Sequence, residues 1–253
     1  MGALHEGHLS LISAAKKKSK IVVVSIFVNP IQFGPAEDYK HYPRNLKKDL
    51  KLLKTYAPIV VFAPDAKEMY GPDFKSFVEV SGLGEKLCGQ SRPGHFRGVT
   101  TIVAKLFNII KPDYAFFGEK DYQQQIIIKK MVKDLNFDTQ IITIPTVRES
   151  DGLAKSSRNA YLSPNERKSA AILYHALCQA KKLIKAGENN PRKIFEEMKQ
   201  LISGEHAVRI EYISIVNPET LEDVKTIKGK ALIALAARIG KTRLIDNVHI
   251  NLK

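Results

Sequence analysis

The chain has no tryptophan, two cysteines, and 26 acidic residues set against 40 basic ones, and none of its apolar runs is long. Each shortage excludes something. Cys88 and Cys178 lie far apart with no C-x-x-C spacing, so neither a disulfide framework nor a cysteine metal site is expected, and both read as packing residues. The run from Ile21 to Val28 is far too short to span a bilayer, and no charged-then-apolar leader stands before it, which makes the expected setting cytoplasmic. The scarcity of acid leaves a net charge of +14, suited to nucleic acid, anionic lipid or a phosphate-rich small molecule. The lysines follow helical stretches such as 16–18, 47–54 and 181–185. No arginine-rich block interleaves with aromatics, so most of them read as solvated helix faces and nucleic acid is not the expected partner.

What is present is enough apolar material, 44% of 253 residues, to build one large or two modest cores. The first half alternates β-branched runs with helical periods. "IVVVSIFV", "IVVFA", "DYAFFG" and "QIITIP" read as strands buried on both faces, and Leu9–Lys18, Asn45–Tyr56, Val99–Ile110 and Tyr122–Leu135 read as helices. That order predicts a parallel sheet wrapped by helices. After about Asn159 the texture changes. One long helix is expected between a cap at Ser163 and a stop at Gly187, then a second from Arg192 to Ile202. "VRIEYISIV", "KALIALAARIG" and "TRLIDNVHI" follow as half-buried strands of an antiparallel sheet. The expected fold class is therefore α/β: a Rossmann-like parallel-sheet domain over residues 1–150, followed by a smaller α+β domain over 151–253.

Ligands of open parallel sheets gather at the carboxyl ends of the strands. The segments standing there are "NPIQFG", "GEKDYQQ" and "TVRESDGLAKSSRN", each with amide, cationic or hydroxyl groups suited to phosphate, carboxylate or ribose. The opening "MGALHEGH" places Gly2, His5, Gly7 and His8 at a helix start, where unpaired N–H groups and the helix dipole favour an anion. Two histidines one turn apart also suit a surface pair or a fortuitous metal pair. Gly118 lets backbone approach a nucleotide closely, and Asp121 either binds ribose hydroxyls or caps the following helix.

Taken together, "MGALHEGH" and "AKSSRN" resemble the paired signatures of the H-x-G-H nucleotidyltransferases. With "VSIFVNPIQF", "YPRN", "RPGHFRGV", "FFGEKDYQQ" and "RLIDN" in one order, the chain resembles the pantoate–β-alanine ligase family. The resemblance implies a two-step ligation in a homodimer. Pantoate and ATP give pantoyl adenylate and pyrophosphate, then β-alanine displaces AMP to give pantothenate. It implies His8 as proton donor with His5 and Lys120 beside it, and ATP contacts from Met1, Gly2, His5, His8, Gly118, Glu119, Lys120, Asp121, Val147 (a backbone contact to adenine), Lys155, Ser156, Ser157 and Arg158. Gln32 and Gln124 would hold pantoate with help from Asn29 and Tyr42, Gln32 also meeting β-alanine. Magnesium is implied as well, with Asp49 the nominated carboxylate. His95 reads as a loop lid or a structural contact, and "RLIDN" as packing of the second domain, which acts as a lid over the labile adenylate.

Two departures stand out. In the family a helix and a buried strand precede the M-G-x-L-H-x-G-H segment, and Lys155 stands where many relatives carry an apolar residue. Two other readings share parts of the pattern: another H-x-G-H nucleotidyltransferase, lacking the Gln32 and Gln124 pair, and a non-catalytic RNA-binding relative, supported by the charge.

Overall fold

The structure, a computed structural model, describes residues 1–35 and 37–252. Two compact units divide the chain, Met1–Thr146 and Val147–Lys253.

The first unit runs α1 (Glu6–Lys18), β1 (Val23–Ser25), α2 (Leu46–Leu53), β2 (Val60–Phe62), α3 (Ala66–Met69), α4 (Cys88–Ser91), α5 (His95–Ile110), β3 (Tyr114–Gly118), α6 (Tyr122–Asp134) and β4 (Gln140–Ile144). Its strands pair in parallel, as continuous β-branched runs dictate: β1 with β2 from Val23↔Val60 to Ser25↔Phe62, and β3 with β4 from Tyr114↔Gln140 to Gly118↔Ile144. The first two strands are shorter than the apolar runs that encode them. Ile26 N–H still reaches Phe62 O at 2.8 Å, but Phe27 N–H donates to Met1 O at 2.9 Å, so past Ile26 the backbone serves the opening segment instead of β2.

Apolar clusters hold this unit, two of them large. Ile12 and Ala15 of α1 pack with Val22, Val24 and Leu53, while Val99, Val103 and Phe107 of α5 pack with Ile128 and Met131 of α6. The start of α5 is buried because it lies against the tight turn Pro30–Gln32 that follows β1. Gly98 allows the approach: a Cβ there would stand 2.5 Å from Ile31 O and 2.7 Å from Gln32 Cα.

In the second unit α7 (Pro164–Ala170), α8 (Ile172–Lys185) and α9 (Pro191–Ser203) are followed by β5 (Val208–Val216), β6 (Lys230–Ile239) and β7 (Thr242–Asn251), an antiparallel sheet in that order. Mixed α/β architecture with a parallel-sheet unit and an antiparallel one is the expected fold class. The single long helix is instead two. Ser163 and Glu166 do form a reciprocal cap, with Ser163 N–H donating to Glu166 Oε2 at 2.8 Å. At Ala171 the ladder tightens, its N–H bonding Lys168 O three residues back, and α7 gives way to α8. Strand β6 is buried on both faces from Ala231 to Ala237, not half-buried, because alanine fills positions that alternation would leave polar. Of the cysteines, Cys88 is buried as expected and Cys178 is exposed.

Gly98→Ala is expected to destabilise the first unit by about 2–3 kcal/mol, because backbone on the Pro30–Gln32 turn must shift to admit a methyl group. A urea titration of both proteins checks this; an unchanged midpoint would show that the turn yields without cost.

Candidate active site

The spacing of His5 and His8 is that of a helix cap. His5 is the N-cap of α1, and its Nδ1 accepts the Gly7 N–H at 3.1 Å; His8 stands three residues on, and its Nδ1 accepts the His5 N–H at 3.3 Å. Two imidazoles thus take the places usually held by a serine and a glutamate. With each Nδ1 accepting from backbone, the neutral rings carry their proton on Nε2, which leaves two N–H donors at a helix start, their ring centroids 4.1 Å apart. Burial above all, then the closeness of His5, of the Met1 amino group and of Lys120, holds the His8 pKa down to about 2. The ring is neutral at any working pH. An arriving anion brings the charge that this electropositive start lacks.

What fixes the cap is Asp49, on the first turn of α2. Its carboxylate is 2% exposed and accepts the Ala3 N–H on Oδ2 at 3.0 Å and the Leu4 N–H on Oδ1 at 2.8 Å. Ala3 adopts φ +49°, a conformation that costs a non-glycine residue free energy and persists because its own amide and the next are both held. Met1 is tied to the end of β1 through Ser25 O and Phe27 N, and Gly2 is buried against Val28. Asp49 therefore anchors the loop. The magnesium role expected for it does not fit these surroundings, and the described residues hold no group of three or more His, Cys, Asp or Glu able to take a metal.

Past β3, the turn Glu119–Asp121 leads into α6. Lys120 lies near enough to act on His8, and Asp121 near enough to act on His95. Asp121 makes no side-chain cap to α6, so capping does not account for it. Gly118 has φ −77° and open space around a virtual Cβ, so the fold itself does not demand glycine there. In "YQQQ" three glutamines have three fates. Gln123 is buried and holds the loop before α4 through Leu83 O, Lys86 O and Cys88 N; Gln125 is buried and donates to Thr143 Oγ1. Gln124, half-buried, has no side-chain hydrogen bond within the described residues.

Gln32 closes the turn after β1. Asn29 is buried, and its side chain is occupied by protein: Nδ2 donates to Gln32 Oε1 at 3.1 Å and to Gly98 O at 3.0 Å, and Oδ1 accepts the Tyr70 hydroxyl at 2.6 Å. It holds Gln32 where sequence reasoning gave it a substrate. Tyr42 packs edge-on against Phe33, 5.7 Å between centroids.

In the second unit, the segment 147–159 is braced from several sides. Lys155 N–H donates to Val147 O at 2.9 Å, and Ser156 Oγ caps the tight turn Ser157–Tyr161 by accepting Arg158 N–H. Arg148 makes a two-pronged pair with buried Asp246 at 2.6 and 2.9 Å and lies 4.0 Å over the Tyr174 ring. Arg167 bridges Glu149 and Asp151, lowering both carboxyl pKa values by its hydrogen bonds. Asn159 ties Glu149 to Ala154 O. Asp246 is the acid of "RLIDN", so that motif anchors Arg148 beside the lysine–serine segment. Sequence reasoning missed Asp49's task, Arg148, Arg167 and Asp246. An aspartate inside the apolar run "TRLIDNVHI" was the available signal, since a buried carboxylate requires a partner.

A parallel sheet with a doubly histidine-capped helix start and a lysine turn at its strand ends defines a nucleotidyltransferase-like protein of the H-x-G-H kind. The chain belongs to the pantoate–β-alanine ligase family: a model of that family, described as Pantoate-beta-alanine ligase, matches residues 1–249. It is 57% identical to a pantothenate synthetase of Acetivibrio thermocellus across 99% of this chain and 89% of that protein. A pantothenate synthetase crystal structure from Thermus thermophilus superposes with a TM-score of 0.95 at 44% identity, covering 98% of this chain and 90% of that one. A pantoate–β-alanine ligase from Francisella tularensis, complexed with β,γ-ATP and β-alanine, gives 0.81 at 37% identity over 98% and 86%. The other nucleotidyltransferase and the RNA-binding reading find no support here.

Asp49→Asn replaces one acceptor with a donor facing a backbone N–H, and is expected to destabilise the protein by about 2 kcal/mol. Urea unfolding of the variant beside wild type measures the difference. A second expectation concerns pH. His8 and His95 are held neutral in the fold with pKa values of about 2 and about 4, against 6.5 when unfolded. The unfolded chain binds these protons first, so stability is complete above pH 6.5 and falls as pH drops toward 4. Urea midpoints across that range check it, and His95→Asn should flatten the slope.

Proposed function

We propose that this chain catalyses the ATP-dependent condensation of pantoate with β-alanine through a pantoyl adenylate, with the ATP phosphates at the histidine-capped start of α1. The observation that carries the reading is the pair of Nε2–H donors fixed by the reciprocal cap, beside Lys120. The pantoate carboxylate oxygen attacks the α-phosphorus, that P–O bond forms, and the bond to the bridging oxygen breaks to release pyrophosphate. No protein nucleophile is needed. The task is placement and stabilisation of charge that grows on the phosphate oxygens, for which preset donors in a partly desolvated site are effective. His8, given as proton donor by resemblance, acts here as a neutral hydrogen-bond donor, with His5 and Lys120 beside it.

In the second step the β-alanine amine nitrogen, unprotonated, attacks the acyl carbonyl. The C–N bond forms, AMP leaves with the acyl C–O bond pair, and the amine proton goes to solvent. Gln32 and Gln124 hold pantoate by its hydroxyls and carboxylate, and Gln124's lack of a protein hydrogen bond among the described residues supports that role. Glu119, Asp121 and the open backbone at Gly118 serve the nucleotide, as do Val147 and the Lys155, Ser156, Ser157 and Arg158 segment by family resemblance. Magnesium belongs to this reading as an ion carried on the triphosphate oxygens with its own waters, a form it commonly takes. A homodimer rests on the resemblance and a cytoplasmic setting on the shortness of the apolar runs; no helix among the described residues is long and apolar enough to cross a membrane.

Pantoate-dependent exchange of labelled pyrophosphate into ATP tests the first step directly, and its absence would sink the reading. His8→Ala is expected to lower the exchange rate ~10²–10³-fold with little change in ATP affinity, because a contact that strengthens in the transition state is removed. An unchanged rate would remove His8 from the chemistry.

A further inference from the structure

The turn ahead of α5 carries two side chains that the reaction does not use. In Arg92-Pro93-Gly94-His95, the His95 N–H donates to Arg92 O at 3.1 Å, and Gly94 takes φ +77°, ψ −8°, as the third position of a type II turn requires. The turn aims Arg92 and His95 at one strip of chain. Arg92 grips Glu37 with two prongs, Nε to Oε1 at 2.7 Å and Nη2 to Oε2 at 2.5 Å. His95 Nδ1 lies 2.8 Å from Gln32 O, and its Nε2 lies 2.9 Å from Arg92 Nη1.

The chemistry of the donors settles the direction of this chain of bonds. A guanidinium only donates, so His95 Nε2 must accept. Nδ1 then carries the proton and donates to the Gln32 carbonyl. Burial and the Arg92 charge keep the ring neutral, with a pKa of about 4, against the opposing pull of the bond to Gln32 O, of Glu37 and of Asp121. Glu37 in turn fixes Arg92 with its fork toward the ring. Gln32 is thereby held twice, through its backbone by His95 and through its side chain by Asn29, and the strip of chain is pinned at Gln32 and at Glu37 by residues three apart.

We propose that Arg92 and His95 are positioning residues for substrate recognition, fixing the Gln32 backbone so that its carboxamide, turned by Asn29, stands where it binds the hydroxyl-bearing carboxylate substrate. This rests on the assignment of pantoate to Gln32 made above. Neither residue touches a reacting atom, so the effect is on pantoate binding and not on ATP.

The test is steady-state pyrophosphate exchange with pantoate and ATP varied separately, on wild type, His95→Leu, His95→Asn and Arg92→Gln, each checked by thermal melting. Asparagine places its amide N–H near the position of Nδ1 and keeps the bond to Gln32 O. His95→Leu should raise the pantoate KM about tenfold or more, the equivalent of one well-made hydrogen bond, with the ATP KM within about twofold of wild type. His95→Asn should recover most of that loss, and Arg92→Gln should fall between. Equal effects on both KM values, or an asparagine variant as poor as the leucine one, would overturn the proposal. Should His95→Leu fail to fold, the other two variants decide, and an unchanged pantoate KM in Arg92→Gln counts against it. A wild type with no pantoate-dependent exchange overturns the substrate assignment and this proposal together, whereas an active wild type with an indifferent His95→Leu overturns this proposal alone.

Discussion

One buried carboxylate carries the site. Asp49 accepts two successive backbone amides, Ala3 and Leu4, from a segment more than forty positions away, and everything at the start of α1 follows from that grip. It stabilises the positive φ of Ala3, sets the direction in which the chain enters the helix, and so decides where the two imidazoles stand. A carboxylate suits the task better than an amide because both its oxygens accept and neither must be turned toward a donor. Burial strengthens each bond and also raises the cost of losing one. α2 is only eight residues long, yet it is the element on which the opening loop depends.

From there the site is built by giving backbone tasks to the side chains that the proposed reaction needs. The reciprocal cap occupies one nitrogen of each histidine with an otherwise unpaired amide, and that choice fixes the tautomer of each ring. Side-chain donors in a site are usually oriented by a separate partner; here the helix start is the partner. The same economy recurs at His95, where a cation forces the tautomer and the ring then orients a carbonyl. The second unit uses a different device. Arg148 and Arg167 hold their segment with charged pairs, Arg148 to a deeply buried aspartate and Arg167 to two partly exposed carboxylates.

Much of this was legible in the order of residues. Continuous β-branched runs gave a parallel sheet, alternating ones an antiparallel sheet, and the polar groups after the strands marked where chemistry gathers. What could not be read was which polar residue serves which master. "QQQ" is three identical letters, and only the helix phase of α6 separates Gln123, which braces a loop, and Gln125, which bonds strand β4, from Gln124, which does neither. Asp49 looks like any acid on a lysine-rich helix, since its partners are backbone amides that leave no mark in sequence. Asn29 stands near a glutamine in a loop suited to substrate, and its three protein partners come from Tyr70, Gly98 and Gln32, brought together only by folding. The expected long helix broke at Ala171 because capping signals report helix ends and say nothing of a local tightening between them.

The neutrality of His8 has a further consequence for how such a site handles a highly charged ligand. A permanently charged histidine would bind a triphosphate strongly in the ground state, and that affinity would be shared by the product pyrophosphate, whose release must follow. A neutral Nε2–H donor interacts weakly with a distant anion and strongly with an oxygen on which charge is growing at hydrogen-bond range. Differential stabilisation of this kind lowers the barrier without deepening the wells on either side of it. Burial is what keeps the ring neutral, and the cap is what keeps it aimed. In the proposed reaction Lys120 is the side chain that draws the phosphates in, and its presence is also one of the reasons the imidazole of His8 stays unprotonated. On the proposed function, attraction of the phosphates and selectivity for the transition state thus fall to two different residues, and the first helps keep the second neutral.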